Sequence, residues 1–196
     1  MSDMELQILS RLLIEAIEQR SRSGEVHVFD FDDTLVKTKS KVHVTTHDNM
    51  GNEIKKSLNP KEYAQYKRQA DDVFDYSDFE DVIEPEPIQS MMLNLRKSIQ
   101  NLGISNVFIL TARSNPTPIR MFLNAQGIPE IRIFAVGTSS PEAKANVIKN
   151  EIMSRSNING VTFYDDVAKN VAAVRALRDN LRGVKNVNIK TVIVRS

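Results

Sequence analysis

The stretch Val26-His27-Val28-Phe29-Asp30-Phe31-Asp32-Asp33-Thr34-Leu35 constrains the fold more than any other part of this chain. Its apolar, β-branched start reads as a buried strand, yet it runs into three carboxylates within four residues. An unpaired carboxylate is costly to bury, so packing does not account for the cluster. Either water or a cation must neutralise it, and ligands collect at the carboxyl ends of strands in open α/β sheets. The stretch therefore predicts a catalytic metal site at the end of a buried strand.

Two later stretches repeat the pattern. Residues 106–113 form an apolar run that ends in Thr111, with Arg113 two places on, and residues 160–166 form another that ends in Asp165 and Asp166. Further strands are predicted over 131–136 and 189–194. Helical spacing of apolar residues is predicted over 2–20, 86–101, 116–127, from 138 onward and over 167–181. The helix over 2–20 has two readings, packing on the sheet or binding a partner. Strands alternating with helices, each polar motif at a strand's carboxyl end, give an α/β fold with a doubly wound parallel sheet.

Residues 36–87 exceed what such a sheet needs and read as an insertion, leaving 1–35 and 88–196 as the core. Within it, 41–46 and 53–58 predict a hairpin around the turn 48–52. Asn59, Pro60 and Glu62 then predict a helix start, with Asn59 as its cap. The insertion is thus expected to be a small hairpin-plus-helix flap. Its first half is basic, through Lys37, Lys39, Lys41, Lys55, Lys56, Lys61, Lys67 and Arg68, and its second half is acidic. Two readings stand for the basic half: it draws in an anionic substrate, or it is a solvated face. The same two stand for the basic end carrying Lys169, Arg175, Arg178, Arg182, Lys185 and Lys190, with nucleic acid or nucleotide as the anion.

Composition narrows the chemistry. There is no cysteine, which removes disulfides, thiolate zinc sites and cysteine nucleophiles together. The net charge of +1 gives no general pull toward nucleic acid or a membrane surface. No apolar run approaches the length of a membrane span, and the expectation is a cytoplasmic protein with no membrane partner. Paired carboxylates at two strand ends repel unless a cation lies between them. All-oxygen donors favour magnesium, a hard cation, over zinc.

Taken in order, these motifs resemble those of the haloacid dehalogenase-like (HAD) phosphohydrolases. Asp30, Asp32 and Thr34 match the Asp-x-Asp-x-Thr of the first motif, Thr111 matches the second, a lysine on the helix from 138 the third, and Asp165-Asp166 the fourth. Lys144 in the first turn is preferred for the third motif, with Lys149 as the alternative. The resemblance implies a Rossmann-like HAD core, with the insertion as cap. It implies Asp30 as nucleophile, Asp32 as general acid and base, and Thr111 and Lys144 as stabilisers of the phosphoryl charge. Magnesium would be held by Asp30, the Asp32 carbonyl, Asp165 and Asp166. Thr34 and Arg113 are expected on the substrate side; polynucleotide 3′-phosphatase domains of the family carry a similar Arg, whose other reading here is a loop cap.

The resulting expectation is a magnesium-dependent phosphomonoesterase acting through an aspartyl-phosphate on a nucleotide or a nucleic-acid 3′-phosphate end. The alternatives are a phosphatase for a phosphorylated small molecule such as a sugar phosphate, and a non-enzymatic HAD-like binding domain.

Overall fold

A computed structural model describes residues 4–7 and 24–195. Residues 4–7 are helical, and the remainder of the helix expected over 2–20 lies outside the described residues.

The main sheet has five parallel strands. They are β1 (Glu25–Phe29), β7 (Val107–Thr111), β8 (Arg132–Ala135), β9 (Gly160–Asp165) and β10 (Asn188–Ile193), in the spatial order β10-β9-β1-β7-β8. The chain therefore builds outward from β1 to β8, crosses back, and adds β9 and β10 on the other side. That reversal puts the topological switch point between β1 and β9, where the carboxyl ends of adjacent strands open a crevice.

Four helices follow the strands. They are α2 (Gln89–Leu102), α3 (Thr117–Ala125), α4 (Pro141–Ser154) and α5 (Ala168–Asn180). The two-residue alternation of the strands sorts their side chains onto two faces. Phe29, Val107, Ile109 and Tyr164 pack with Met92, Leu95, Ile119, Phe122 and Leu123 of α2 and α3. Val26, Val28, Phe108, Leu110, Val161 and Phe163 pack with Ala145, Ile148, Ile152, Val174 and Leu177 of α4 and α5. Each fully buried Phe or Ile here contributes about 1.5–3 kcal/mol of transfer free energy.

Local signals explain where helices start. Ser140 caps α4 by accepting the Ala143 amide at 3.3 Å, with Pro141 at the first helical position. The helix expected from Glu86 begins later, at Gln89. Glu86–Pro87 is instead a short strand, β6, antiparallel to β2 (Val36–Lys37). Together β2 and β6 bracket the residues that hold a second, smaller sheet.

The insertion holds the expected hairpin, β3 (Val42–His47) with β4 (Glu53–Leu58), and the short helix α1 (Pro60–Gln65). Asn59 and Glu62 form a reciprocal capping box at its start, with bonds of 2.9 and 2.8 Å. A further strand, β5 (Val73–Asp75), pairs with β3 and makes the hairpin a three-stranded sheet. Phe74 on β5 meets Tyr63 and Tyr66 edge to face, so the aromatics of this segment form a half-buried cluster.

Candidate active site

Asp30 follows β1 and Asp165 ends β9, so the parallel pairing of these strands brings the two acidic motifs side by side. Asp30 shares the parity of Val26 and Val28, and Asp165 that of Val161 and Phe163, so both belong to the face packed against α4 and α5. Lys144, in the first turn of α4, reaches into that face. Its Nζ donates to Asp30 Oδ1 at 2.7 Å and to Asp165 Oδ2 at 2.8 Å. All three are buried, whereas Lys149 is exposed.

The chain leaves β1 through a tight turn. The Phe31 carbonyl accepts the amides of Thr34, Leu35 and Val36, and Asp33 adopts a left-handed φ of 56°. An aspartate tolerates that conformation better than most residues. The turn brings the Thr34 hydroxyl to 3.5 Å from Asp30 Oδ2, while Asp32 meets Arg113, which follows β7.

Asp165 is held from several directions. Its Oδ1 accepts the Val167 amide at 2.8 Å, which ties it to the start of α5. Asn170 Nδ2 donates to both carboxylate oxygens at 3.0 Å. Asn170 was not singled out in the sequence; its signal is a polar residue on the inward face of α5, beside Val171 and Val174.

Charge is unbalanced here. Burial raises the pKa of Asp30, with Lys144 opposing and Asp165 adding to the rise. Burial also pushes Asp166 up to about 6, and the charges of Asp165 and Asp33 act the same way. Burial works against a charged Lys144, but Asp30 and Asp165 outweigh it and hold its pKa above the ordinary lysine value. One ammonium thus faces three carboxylates whose ligand oxygens lie within 4.8 Å of one another, those of Asp30, Asp165 and Asp166. This all-oxygen donor set suits a hard divalent cation such as magnesium, which would relieve that excess negative charge.

Thr111 ends β7, two residues past the Phe29–Ile109 pairing, and is fully buried. Its hydroxyl oxygen accepts the Arg113 amide at 3.2 Å. Arg113, expected beside a substrate phosphate, is instead committed within the protein. Nε donates to Asp32 Oδ2 at 2.9 Å and one terminal nitrogen to Asp32 Oδ1 at 2.8 Å. The other terminal nitrogen donates to the carbonyls of Phe79, at 3.0 Å, and Asp81. Thr38 Oγ1, a contact with no sequence signal, adds a 3.4 Å bond to Asp32 Oδ1.

Basic residues of the carboxyl-terminal segment are partly tied up as well. Arg178 donates to the Ile189 carbonyl at 3.0 Å, Arg175 to Thr191 Oγ1 at 3.1 Å, and Lys185 to the carbonyls of Ile152 and Arg155. No helix among the described residues is long and apolar enough to cross a membrane. No protein-family model, curated protein or solved structure matches the chain.

Proposed function

We propose that this chain is a magnesium-dependent phosphomonoester hydrolase of the HAD type, working through an aspartyl-phosphate on Asp30. The observation that carries the reading is the convergence of Asp30, Asp165 and Lys144 at the switch point, with Asp166 beside them and Asp32 two residues beyond Asp30. Three acids and a lysine gathered with such a charge excess are poorly explained as a packing device, since buried ion pairs do little for stability.

In this reading the carboxylate of Asp30 attacks phosphorus, and the bond from phosphorus to the ester oxygen breaks. Asp32 gives a proton to that departing oxygen. Water then attacks the phosphorus of the aspartyl-phosphate, Asp32 takes the proton back, and Asp30 is released with inorganic phosphate. Asp30, Asp165, Asp166 and the Asp32 carbonyl would hold magnesium, which supplies charge neutralisation for the carboxylates and the phosphoryl oxygens. Lys144 contributes a fixed positive charge already in place, and Thr111 a strand-end hydroxyl and the amide that follows. Thr34 orients Asp30.

A cleft of about 370 Å³ is lined by Lys37, Thr38, Lys39 and Glu84–Glu86, and its Thr38 donates to Asp32 at 3.4 Å. Ligand pockets run from roughly 300 to 1,000 Å³, so this one suits a small leaving group or a chain end. Glu84 and Glu86 offset its two lysines, with Lys39 paired to Glu84 at 2.5 Å, so the assignment to a phosphorylated nucleotide or a nucleic-acid 3′-phosphate end rests on the basic half of the insertion 36–87 acting as cap.

The test is phosphate release from p-nitrophenyl phosphate, mononucleotides, sugar phosphates and a 3′-phosphorylated oligonucleotide, with and without magnesium. Release that needs magnesium and disappears in Asp30→Asn is the expected result. No release from any of these compounds would sink the reading, and a sugar phosphate as best substrate would overturn the nucleotide assignment.

A further inference from the structure

Arg113 sits where the insertion meets the core. Its guanidinium lies over the Phe31 ring at 5.6 Å and over the Phe79 ring at 5.2 Å. Phe31 belongs to the turn after β1, and Phe79 to a single helical turn at Ser77–Glu80 in the insertion. The side chain is only 1% exposed, and Nε and both terminal nitrogens are engaged by Asp32 and by the carbonyls of Phe79 and Asp81. To bind a substrate phosphate it would have to abandon all of these partners.

The turn that supplies those carbonyls is fastened in turn to the start of β3. Asp78 Oδ2 accepts the Lys41 amide at 2.9 Å, Asp78 Oδ1 lies 3.2 Å from His43 Nε2, and Ser40 Oγ donates to the Asp78 carbonyl at 3.2 Å. Asn115, just after Arg113, donates to Glu80 at 3.0 Å. A planar fork on a carboxylate fixes the carboxylate's plane as well as its position. Asp32 keeps 21% of its side chain exposed, so it remains accessible to solvent while Arg113 does not.

We infer that Arg113 is a positioning residue that orients Asp32 for proton transfer only while the turn at 77–81 is seated on the core. Seating of the insertion and assembly of the general acid are thereby one event. The inference rests on the phosphohydrolase reading above.

The discriminating measurement uses two esters that differ in their need for a proton. p-Nitrophenolate leaves without one, whereas the alkoxide of β-glycerol phosphate does not. A general acid is worth about 10²- to 10⁴-fold, so a misaligned one in Arg113→Lys should lower the single-turnover rate of ester cleavage on β-glycerol phosphate roughly 10- to 100-fold. On p-nitrophenyl phosphate the single-turnover release of p-nitrophenolate should fall by less than about 3-fold, while the later hydrolysis of the aspartyl-phosphate, which draws on Asp32 as base with either ester, slows equally on both. Asp78→Ala, which unties the turn without touching Arg113, should show the same asymmetry to a lesser degree. In magnesium-free protein, amide hydrogen exchange over residues 77–82 should accelerate in both variants. Equal loss of the cleavage step on the two esters, an undiminished cleavage rate on β-glycerol phosphate, or unchanged exchange over 77–82 would each overturn the positioning role. Wild-type protein inactive on both esters would instead remove the phosphatase reading itself, and this inference with it.

Discussion

Lys144 bridges two carboxylates that arrive on different strands, its ammonium lying 2.7 Å from Asp30 Oδ1 and 2.8 Å from Asp165 Oδ2. Removing one partner of a buried ion pair leaves an uncompensated charge, at a cost of roughly 3–5 kcal/mol. Lys144→Ala should therefore lower the metal-free denaturation midpoint by more than any exposed lysine substitution, Lys149→Ala included. Millimolar magnesium should restore part of the loss. A midpoint equal to that of Lys149→Ala would contradict the bridge.

Magnesium should stabilise the folded chain directly, because a ligand that binds only the native state adds RT ln(1 + [L]/Kd). The expected result is a melting temperature that rises with magnesium concentration in wild type and far less in Asp166→Asn. Equal shifts in the two proteins would place the cation elsewhere.

Asn170 holds both oxygens of Asp165 without itself being a carboxylate. Partners that orient a metal ligand are commonly worth about 10- to 100-fold in affinity. Asn170→Ala should weaken magnesium binding on that scale by calorimetric titration, with the secondary structure unchanged by circular dichroism. Undiminished affinity would reduce Asn170 to a packing residue.

His27 supplies the pH dependence. Burial lowers its pKa from the ordinary 6.5, with Glu25 opposing and Lys190 adding to the fall. Its Nδ1 lies 2.7 Å from Ser98 Oγ, whose own hydrogen goes to the Asn94 carbonyl at 2.8 Å, so the imidazole carries its proton on Nδ1. A histidine whose folded pKa is depressed takes up its proton more readily when unfolded. Its contribution is complete above pH 6.5 and is lost as the pH falls from there toward the lowered value. Urea midpoints at pH 7.5, 6.5 and 5.5 should fall more steeply for wild type than for His27→Phe. Parallel profiles would refute the assignment.

Gly24, just before β1, leaves no room for a side chain. An added Cβ would lie 2.3 Å from the Asn157 carbonyl oxygen and 2.6 Å from Asn159 Cγ. The Gly24 carbonyl meanwhile accepts the amides of Asn159 and Gly160, so the backbone is not free to retreat. Gly24→Ala should destabilise by about 1–3 kcal/mol, as overpacking does, read as a lower urea midpoint at unchanged slope. A neutral effect would mean the 157–160 turn can shift.

The sequence alone sufficed for the alternation of strands and helices, the motif at each strand end, and the helix start capped by Asn59. These depend on residue period and on groups a few positions apart, so local spacing carries them. The sequence preferred Lys144, in the first turn of its helix, over Lys149; in the folded chain Lys144 meets Asp30 and Asp165 while Lys149 is exposed. Other relationships needed the folded chain. The start of α2 at Gln89 instead of Glu86 follows from pairing between Val36–Lys37 and Glu86–Pro87, and β5 exists because β3 offers it an edge. The seat of Arg113 lies furthest from sequence, because two of its partners are backbone carbonyls, which any residue supplies. Short-range pattern therefore determined which chemical groups stand at the strand ends, and tertiary packing alone decided which of them meet, since contacts between distant segments depend on register and chain path.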